Sequence, residues 1–171
     1  MKLFNFVRRR TKDGEFTSST ATFLCAKPCR YTAQAEQEHV AAFQAVVRME
    51  EHFARCVVAE GGRMLNAFNA SFCAMFASAP AALKAAIRIA PGMETEDYTQ
   101  WRLPMMCGLH TGLVYTGRGR TFSSSIGTAE WVSTRGNGGI FVSETTEAML
   151  RPHLGTGWAL KKCSDNMKGA G

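Results

Sequence analysis

The sequence predicts an α+β fold, in which a sheet of mostly antiparallel strands has helices packed on one face. Short apolar runs typical of strands alternate with two longer stretches whose apolar residues recur every three or four positions, the spacing of a helix. Glycine pairs and tight turns separate these segments. The resulting order is β-α-β-β-α-β followed by further elements, which is the order of a ferredoxin-like core.

The first half of the chain supplies most of that core. An apolar run at 21–26, ended by Pro28, predicts a buried strand, and 33–59 predicts a helix that stops at a glycine pair. Two short strands at 63–68 and 71–77 form a hairpin, and a second helix covers 80–90. The apolar positions that define the first helix are Val40, Phe43, Val47, Phe53 and Val57.

The second half adds a long strand and several shorter elements. The long strand is predicted at 103–114, and an exposed basic turn follows it at 117–120. The remaining predictions are a short helix within 123–133, a strand at 140–143, a helix at 144–150 and a last strand at 158–161.

Composition indicates one intracellular globular domain with protein partners. The chain has 171 residues, 46% of them hydrophobic, and its longest apolar runs are too short to span a bilayer. The net charge of +6 favours acidic neighbours, and much of it lies in a basic arm at 1–17, ahead of the domain at 18–171. We expect the arm to anchor the chain to a partner, and nucleic acid is not an expected ligand.

The six cysteines are predicted to be reduced, buried thiols. They are Cys25, Cys29, Cys56, Cys73, Cys107 and Cys163, and most lie within apolar runs without the spacing of a zinc site. No secretory signal precedes them, which favours an intracellular location in which thiols stay reduced.

Four stretches in order along the chain resemble the catalytic domain of class III adenylate and guanylate cyclases. They lie at 23–32, 61–76, 106–113 and 136–143, and 167–169 is similar to the end of that domain. The most specific is Gly-Leu-His-Thr-Gly at 108–112. The Asn-Gly-Gly at 137–139 is similar to cyclases of trypanosomes and their relatives. The resemblance covers roughly residues 20 to 169 and implies a cyclase-like fold.

The same resemblance implies that the metal site of a cyclase has been lost. Members of the family hold two divalent ions with two aspartates, which fall at Lys27 and Ala70 in this chain. The base-reading lysine falls at Asn66. The transition-state asparagine and arginine fall at Gly127 and Trp131 without gaps.

Two features of the second half-site stay open. A gapped alignment moves Arg135 onto the arginine position and Trp131 onto the asparagine. Lys168 matches the triphosphate-binding lysine and is the one vestigial cofactor-binding candidate. We further expect Trp131 either to fill the nucleotide groove from within or to pack against a partner placed there.

These observations favour a catalytically inactive cyclase-homology domain that is a structural subunit of a larger intracellular assembly, with no metal or cofactor. Its partners would be other subunits, including another cyclase-like domain. The alternatives are a regulatory module that binds ATP or GTP, or one half of a heterodimeric nucleotidyl cyclase. Composition and the trypanosome-like motif suggest a mitochondrial location in a protist, with cytoplasmic and flagellar locations as alternatives.

Overall fold

The computed structural model describes residues 9–10, 16–29, 31, 35–36, 38–68, 70–91, 104–135, 138–155 and 160–161. The strands in this part of the chain are β1 (Arg9–Arg10), β2 (Phe16–Pro28), β3 (Arg63–Phe68), β4 (Ser71–Phe76), β5 (Met105–Gly117), β6 (Arg120–Phe122) and β7 (Gly139–Val142). The helices are α1 (His39–Ala59), α2 (Ala79–Ile89), α3 (Ser125–Ser133) and α4 (Glu144–Leu150), and a short 3-10 turn at Arg151–His153 follows α4.

The described strands form one seven-stranded sheet in the order β3-β4-β2-β5-β6, which confirms the predicted core. β1 pairs with β2, and β7 joins β5 as the sole parallel neighbour among these strands. β2 and β5 pair along their whole thirteen-residue length, from Phe16 opposite Gly117 to Pro28 opposite Met105. This central pair therefore fixes the positions of β4, β6 and β7, each of which pairs with β2 or β5.

Helices cover both faces of the sheet, whereas the sequence predicted one face. α1 and α2 pack on one face over Leu24, Phe72 and Leu109. α3 packs on the other face, where Ala129 joins a smaller cluster with Phe23. Local apolar spacing does not say which face a helix takes, because that choice depends on the path of the connecting loops.

The buried side of α1 differs from the predicted one. Phe53 and Val57 are in the core, but Val40, Phe43 and Val47 are exposed to solvent. The inward positions of the N-terminal half are small or flexible, and the buried residues of α1 are Ala42, Ala45, Met49, Phe53, Cys56 and Val57. Alanines at the contact let α1 lie close to the sheet, and the larger side chains consequently point outward.

Most element bounds follow the sequence closely, but β2 extends well beyond the predicted run at both ends. The hairpin of β3 and β4, both of the longer helices and α4 lie within a few residues of their predicted positions, except that α1 begins later. β5 runs on to Gly117 and pairs with β6, a strand that the sequence did not predict. The predicted last strand falls largely outside the described residues, and Leu160 and Lys161 are not in a strand. In the part of the chain that the structure describes, no helix is long and apolar enough to cross a membrane.

Candidate functional site

Two of the predicted site positions lie at the same end of the sheet. Ala26 of β2 is opposite Phe72 of β4, so Lys27 follows beside the turn that precedes β4. That turn contains Ala70, which is buried and has a left-handed φ of 60°. Alanine adopts this conformation rarely, and glycine, asparagine and aspartate adopt it more readily. The backbone thus brings Lys27 and Ala70 close to one another, as two metal ligands would need to be.

The side chains present do not fit the two divalent ions of a cyclase. Ala70 has no donor atom, and Lys27 carries a cation on a half-buried strand position. Metal sites for Mg²⁺ are built from carboxylate and carbonyl oxygens. A lysine ammonium about 4 Å from a divalent ion would repel it by several kcal/mol at intermediate dielectric. Among the described residues, no group of three or more His, Cys, Asp or Glu side chains is placed to hold a metal ion.

The other predicted positions are distributed over β3 and α3. Asn66 pairs with Cys73 across the hairpin. Gly127 and Trp131 are one helical turn apart on the exposed side of α3. Lys168 lies outside the described residues.

Trp131 does not fill a groove from within, which corrects one of the two expectations for this residue. Its side chain is 56% exposed, and the Arg135 guanidinium carbon lies 3.4 Å from the centre of its ring. The arginine position of the family falls on Trp131 in the ungapped alignment and on Arg135 in the gapped one, and these two residues stack on each other. The second expectation, a contact with a partner, stays a prediction.

A cavity of about 610 Å³ opens on the face of the sheet that carries α3. That volume is within the usual range of small-molecule sites. Of the predicted site residues with described side chains, none lines this cavity. Residues next to three of them in sequence do, namely Ser71, Ile126 and Glu130. Its lining residues are Arg63, Met64, Leu65, Ser71, Cys73, Thr121, Ile126 and Glu130.

The polar lining of the cavity combines one cation with one anion. The Arg63 guanidinium donates a hydrogen bond to the Thr121 hydroxyl at 3.1 Å and so ties β3 to β6. Glu130 projects from α3, one residue before Trp131. Neither residue was predicted from the sequence, because neither belongs to a motif. Glu130 could have been noticed in the sequence because it directly precedes Trp131, the residue at the aligned arginine position.

Cys25 and Cys73 form a disulfide, which corrects the prediction that they are free thiols. They are directly opposite in the pairing of β2 and β4, with Cα atoms 4.3 Å apart. Cys73 also lines the cavity. Cys29, Cys56 and Cys107 are buried and form no disulfide, as predicted, and Cys163 lies outside the described residues. Strand register decides which cysteines meet, and sequence spacing alone does not give register.

His110 belongs to a chain of hydroxyl groups inside the fold. Its Nδ1 lies 2.8 Å from the Ser143 Oγ, and that hydroxyl lies 3.1 Å from the Thr146 Oγ1. The chain continues through Thr111 to Thr22 across β5 and β2. Burial lowers the pKa of His110. The arrangement joins β5 to the start of α4, which is a structural role.

Solved structures with a similar fold include catalytic domains of nucleotidyl cyclases. The guanylyl cyclase domain of the RhoGC fusion protein from the aquatic fungus Blastocladiella emersonii matches with a TM-score of 0.70 and 15% identity, over 81% of this chain and 89% of that chain. The adenylyl cyclase CyaB from P. aeruginosa matches with a TM-score of 0.69 and 15% identity, over 81% and 83%. An adenylate/guanylate cyclase/hydrolase from Silicibacter pomeroyi matches with a TM-score of 0.66 and 21% identity, over 81% and 84%.

The likeness extends over most of both chains, so this chain has the fold of a class III nucleotidyl cyclase catalytic domain. A dimeric guanylyl cyclase domain of the fungal protein is also similar, with a TM-score of 0.66 and 13% identity over 78% of this chain and 84% of that chain. No family model matches the sequence, and no curated protein matches it.

Proposed function

We propose that this chain is a catalytically inactive cyclase-homology domain and serves as a structural subunit of a larger intracellular assembly. The observation that carries the proposal is the pair Lys27 and Ala70. The cyclase fold brings these two positions together at one end of the sheet, and neither side chain is a ligand for a divalent ion. A fold retained without the metal ligands of its enzymes favours a role based on surfaces and not on turnover.

The second half-site supports the same proposal. Developing charge on the phosphate needs hydrogen-bond donors aimed at it. Gly127 has no side chain, and the Trp131 indole offers one N–H in place of a guanidinium. Arg135, the candidate of the gapped alignment, is stacked on Trp131.

The proposed assembly rests on the similar cyclase domains and on the charge of the chain. The similar cyclase domains include a non-canonical dimeric one, which supports another cyclase-like domain as the partner. The net charge of +6 suits an acidic neighbour. A mitochondrial or flagellar assembly of a protist remains part of the proposal through the trypanosome-like Asn-Gly-Gly motif.

Restoring the carboxylates tests the central step. In Lys27→Asp with Ala70→Asp, we expect Mn²⁺ binding to appear, because aspartate tolerates the left-handed turn at residue 70 and residue 27 lies beside that turn. Calorimetric titration with Mn²⁺ measures this gain, and Lys27→Asn with Ala70→Asn is the neutral control of the same size. The aspartate variant should still form no cyclic nucleotide. Turnover by that variant would show that Asn66, Gly127 and Trp131 do serve the reaction.

The cavity favours one second candidate, a regulatory site for ATP or GTP. Arg63 places a guanidinium at its wall, and a volume near 610 Å³ suits a ligand of moderate size. Titration with each nucleotide in the absence of metal tests this candidate. Binding that Arg63→Gln abolishes would support it over a purely structural role, with Arg120→Gln as the control on β6. Lack of binding to wild type at millimolar nucleotide would leave the structural role.

A further inference from the structure

The wall of the cavity contains a sulfur atom that belongs to a disulfide. Cys73 lines the cavity and is bonded to Cys25 on the neighbouring strand. Cys73 is 7% exposed, whereas Cys25 is 1% exposed and does not line the cavity. A molecule that enters the cavity therefore reaches the Cys73 sulfur before it reaches the Cys25 sulfur.

The surroundings of Cys25 suit a thiol as well as a disulfide. The Cys25 Sγ lies 3.7 Å from the carbonyl oxygen of Ile126, in the first turn of α3. A disulfide sulfur has no hydrogen to donate, whereas a thiol is a weak donor and can use this carbonyl. The fold therefore holds a hydrogen-bond acceptor in place for the reduced form of Cys25.

The charges of the cavity define the kind of thiol that fits it. Arg63 is opposite Met75 of β4, which is two residues from Cys73 and so on the same face of the sheet. A guanidinium binds a carboxylate through two parallel hydrogen bonds. Glu130, on the α3 side of the cavity, offers a carboxylate to an ammonium group. A small amino-acid thiol, the class that includes cysteine and glutathione, carries both of the complementary charges.

We propose that Cys25 and Cys73 are a redox-active pair, which exchanges with a small amino-acid thiol bound in the cavity. The thiolate of the bound molecule attacks the Cys73 sulfur, and a sulfur–sulfur bond to Cys73 forms as the bond between the two cysteines breaks. The electron pair stays on the Cys25 sulfur, which takes up a proton and donates a hydrogen bond to the Ile126 carbonyl.

A second thiol completes the reduction. It attacks the sulfur of the molecule bound to Cys73, and the two small thiols leave as their own disulfide while Cys73 takes up a proton. Two small thiols are thus oxidised and one protein disulfide is reduced to two thiols. The reverse reaction, with the small disulfide as the oxidant, restores the bond between Cys25 and Cys73.

The exchange changes both the sheet and the cavity. The disulfide joins β2 to β4, and its opening removes this covalent link. While the mixed disulfide with Cys73 is present, the small thiol occupies the cavity. This inference goes beyond the proposed function and does not depend on it, because it concerns sulfur chemistry and neither metal ligands nor cyclic nucleotide.

The rate of reduction tests the role of the cavity. The whole chain is oxidised with glutathione disulfide, and opening of the bond is followed by alkylation and mass spectrometry in glutathione or in uncharged 2-mercaptoethanol. We expect Arg63→Gln to slow the reaction with glutathione by about fivefold or more, because the carboxylate loses its partner, and to leave the reaction with 2-mercaptoethanol almost unchanged. Arg120→Gln on β6 makes the same change of charge and should react with both thiols like wild type.

Serine variants test which sulfur is attacked. Cys25→Ser leaves the Cys73 thiol at the cavity wall, and this thiol should form a mixed disulfide with glutathione disulfide. Cys73→Ser leaves the more deeply buried Cys25, which should react more slowly by about tenfold or more. Mass spectrometry of peptides locates the modified cysteine, and circular dichroism confirms that each variant is folded. Where a serine variant fails to fold, the comparison of Arg63→Gln with Arg120→Gln decides.

Four results would overturn the proposal. The first is an equal effect of Arg63→Gln on the reactions with both thiols, and the second is modification of Cys25 in preference to Cys73. The third is a disulfide that glutathione opens only when the chain unfolds. The last is a wild-type chain in which the two cysteines stay unpaired in glutathione disulfide.

Discussion

At the scale of single residues, Gly108 sets how closely β5 approaches α3. A Cβ atom at this position would overlap backbone atoms of Ala129 and Ser133. Backbone cannot move aside as a flexible side chain does, so the close packing of helix on strand requires glycine here. Gly127, on the exposed side of α3, is the opposite case, because no heavy atom lies within 4 Å of its Cβ position.

These two glycines give opposite predictions for the same substitution. Gly108→Ala should lower the free energy of unfolding by about 1–3 kcal/mol or more, because the added methyl forces α3 away from the sheet. Gly127→Ala should raise it by roughly 0.5–1 kcal/mol, because alanine favours the helix and has room. Urea unfolding of both variants measures the difference. A loss of stability in Gly127→Ala would contradict this prediction and would show that the fold requires glycine at position 127.

His110 should make the fold less stable in mild acid. Burial lowers its pKa in the folded state below the ordinary value near 6.5, so the unfolded chain binds the proton more readily. The folded state favours the neutral imidazole, and the resulting contribution to the free energy of unfolding is fully present above the pKa of the unfolded chain. That contribution is lost as the pH falls through 6.5 toward the lowered value.

We therefore expect the free energy of unfolding to fall between pH 7.5 and 5.5 more steeply in wild type than in His110→Asn, measured by urea unfolding at several pH values. Asparagine does not titrate and can still reach the Ser143 hydroxyl. His39→Asn, at an exposed position, is the control and should follow wild type. Parallel curves for wild type and His110→Asn would refute the assignment.

At the scale of elements, each of two helices begins at a capping serine, and α4 depends on its serine more strongly than α2 does. Ser143 accepts a hydrogen bond from the Thr146 N–H and also contacts His110 and the Thr146 hydroxyl. Ser78 caps α2 through the Ala81 N–H at 3.4 Å. The two caps have the same chemistry, but the first also holds α4 to β5.

Ser143→Ala should consequently cost more stability than Ser78→Ala. Losing an N-cap costs about 0.5–2 kcal/mol, and we expect Ser78→Ala near the lower bound. Ser143→Ala should reach or exceed the upper bound, because the half-buried His110 and the buried Thr146 lose a hydrogen-bond partner. Thermal unfolding compares the two variants. Equal losses would mean that the hydroxyl chain contributes nothing beyond the cap.

Element types and their order were predictable because apolar spacing is a local signal. The bounds of α4 and of β3 were predicted as observed, since capping and turn residues mark them. The outward side of α1 was not predictable. Phe43 and Val47 have helical spacing with Phe53, and the spacing does not say that alanines take the inward side. The unexpected β6 follows β5 after a turn of two residues and pairs with it. It contains a single apolar residue, Phe122, which is not enough to predict a strand.

At the scale of the whole molecule, a ferredoxin-like core could be predicted from the order of the elements, and the order of the motifs resembles one known family. Contacts that depend on strand register or on the packing of α3 could not be inferred. The disulfide of Cys25 with Cys73 and the hydrogen bond of Arg63 to Thr121 are two such contacts. For the candidate site, the resemblance singled out Lys27 and Ala70, which lie at the same end of the sheet, but the sequence did not identify the residues that line the cavity.

The two faces of the molecule are suited to different contacts. One face carries α3, the cavity and the exposed Trp131. The other carries α1, whose outward side exposes Val40, Phe43 and Val58. Two separate surfaces would let one domain join two neighbours, which is a property of structural subunits and not a requirement of a cyclase.

Formation of cyclic nucleotide by the wild-type chain tests the central claim most directly. The assay supplies ATP or GTP with Mg²⁺ or Mn²⁺, to the chain alone and mixed with a metal-competent cyclase domain, against that domain by itself. We expect no product from the chain alone and no increase in the mixture, because Lys27 and Ala70 provide no metal ligand and the second half-site lacks its donors. Product that is formed by the chain, or added by it to the mixture, and that is abolished by a substitution in this chain would contradict the account.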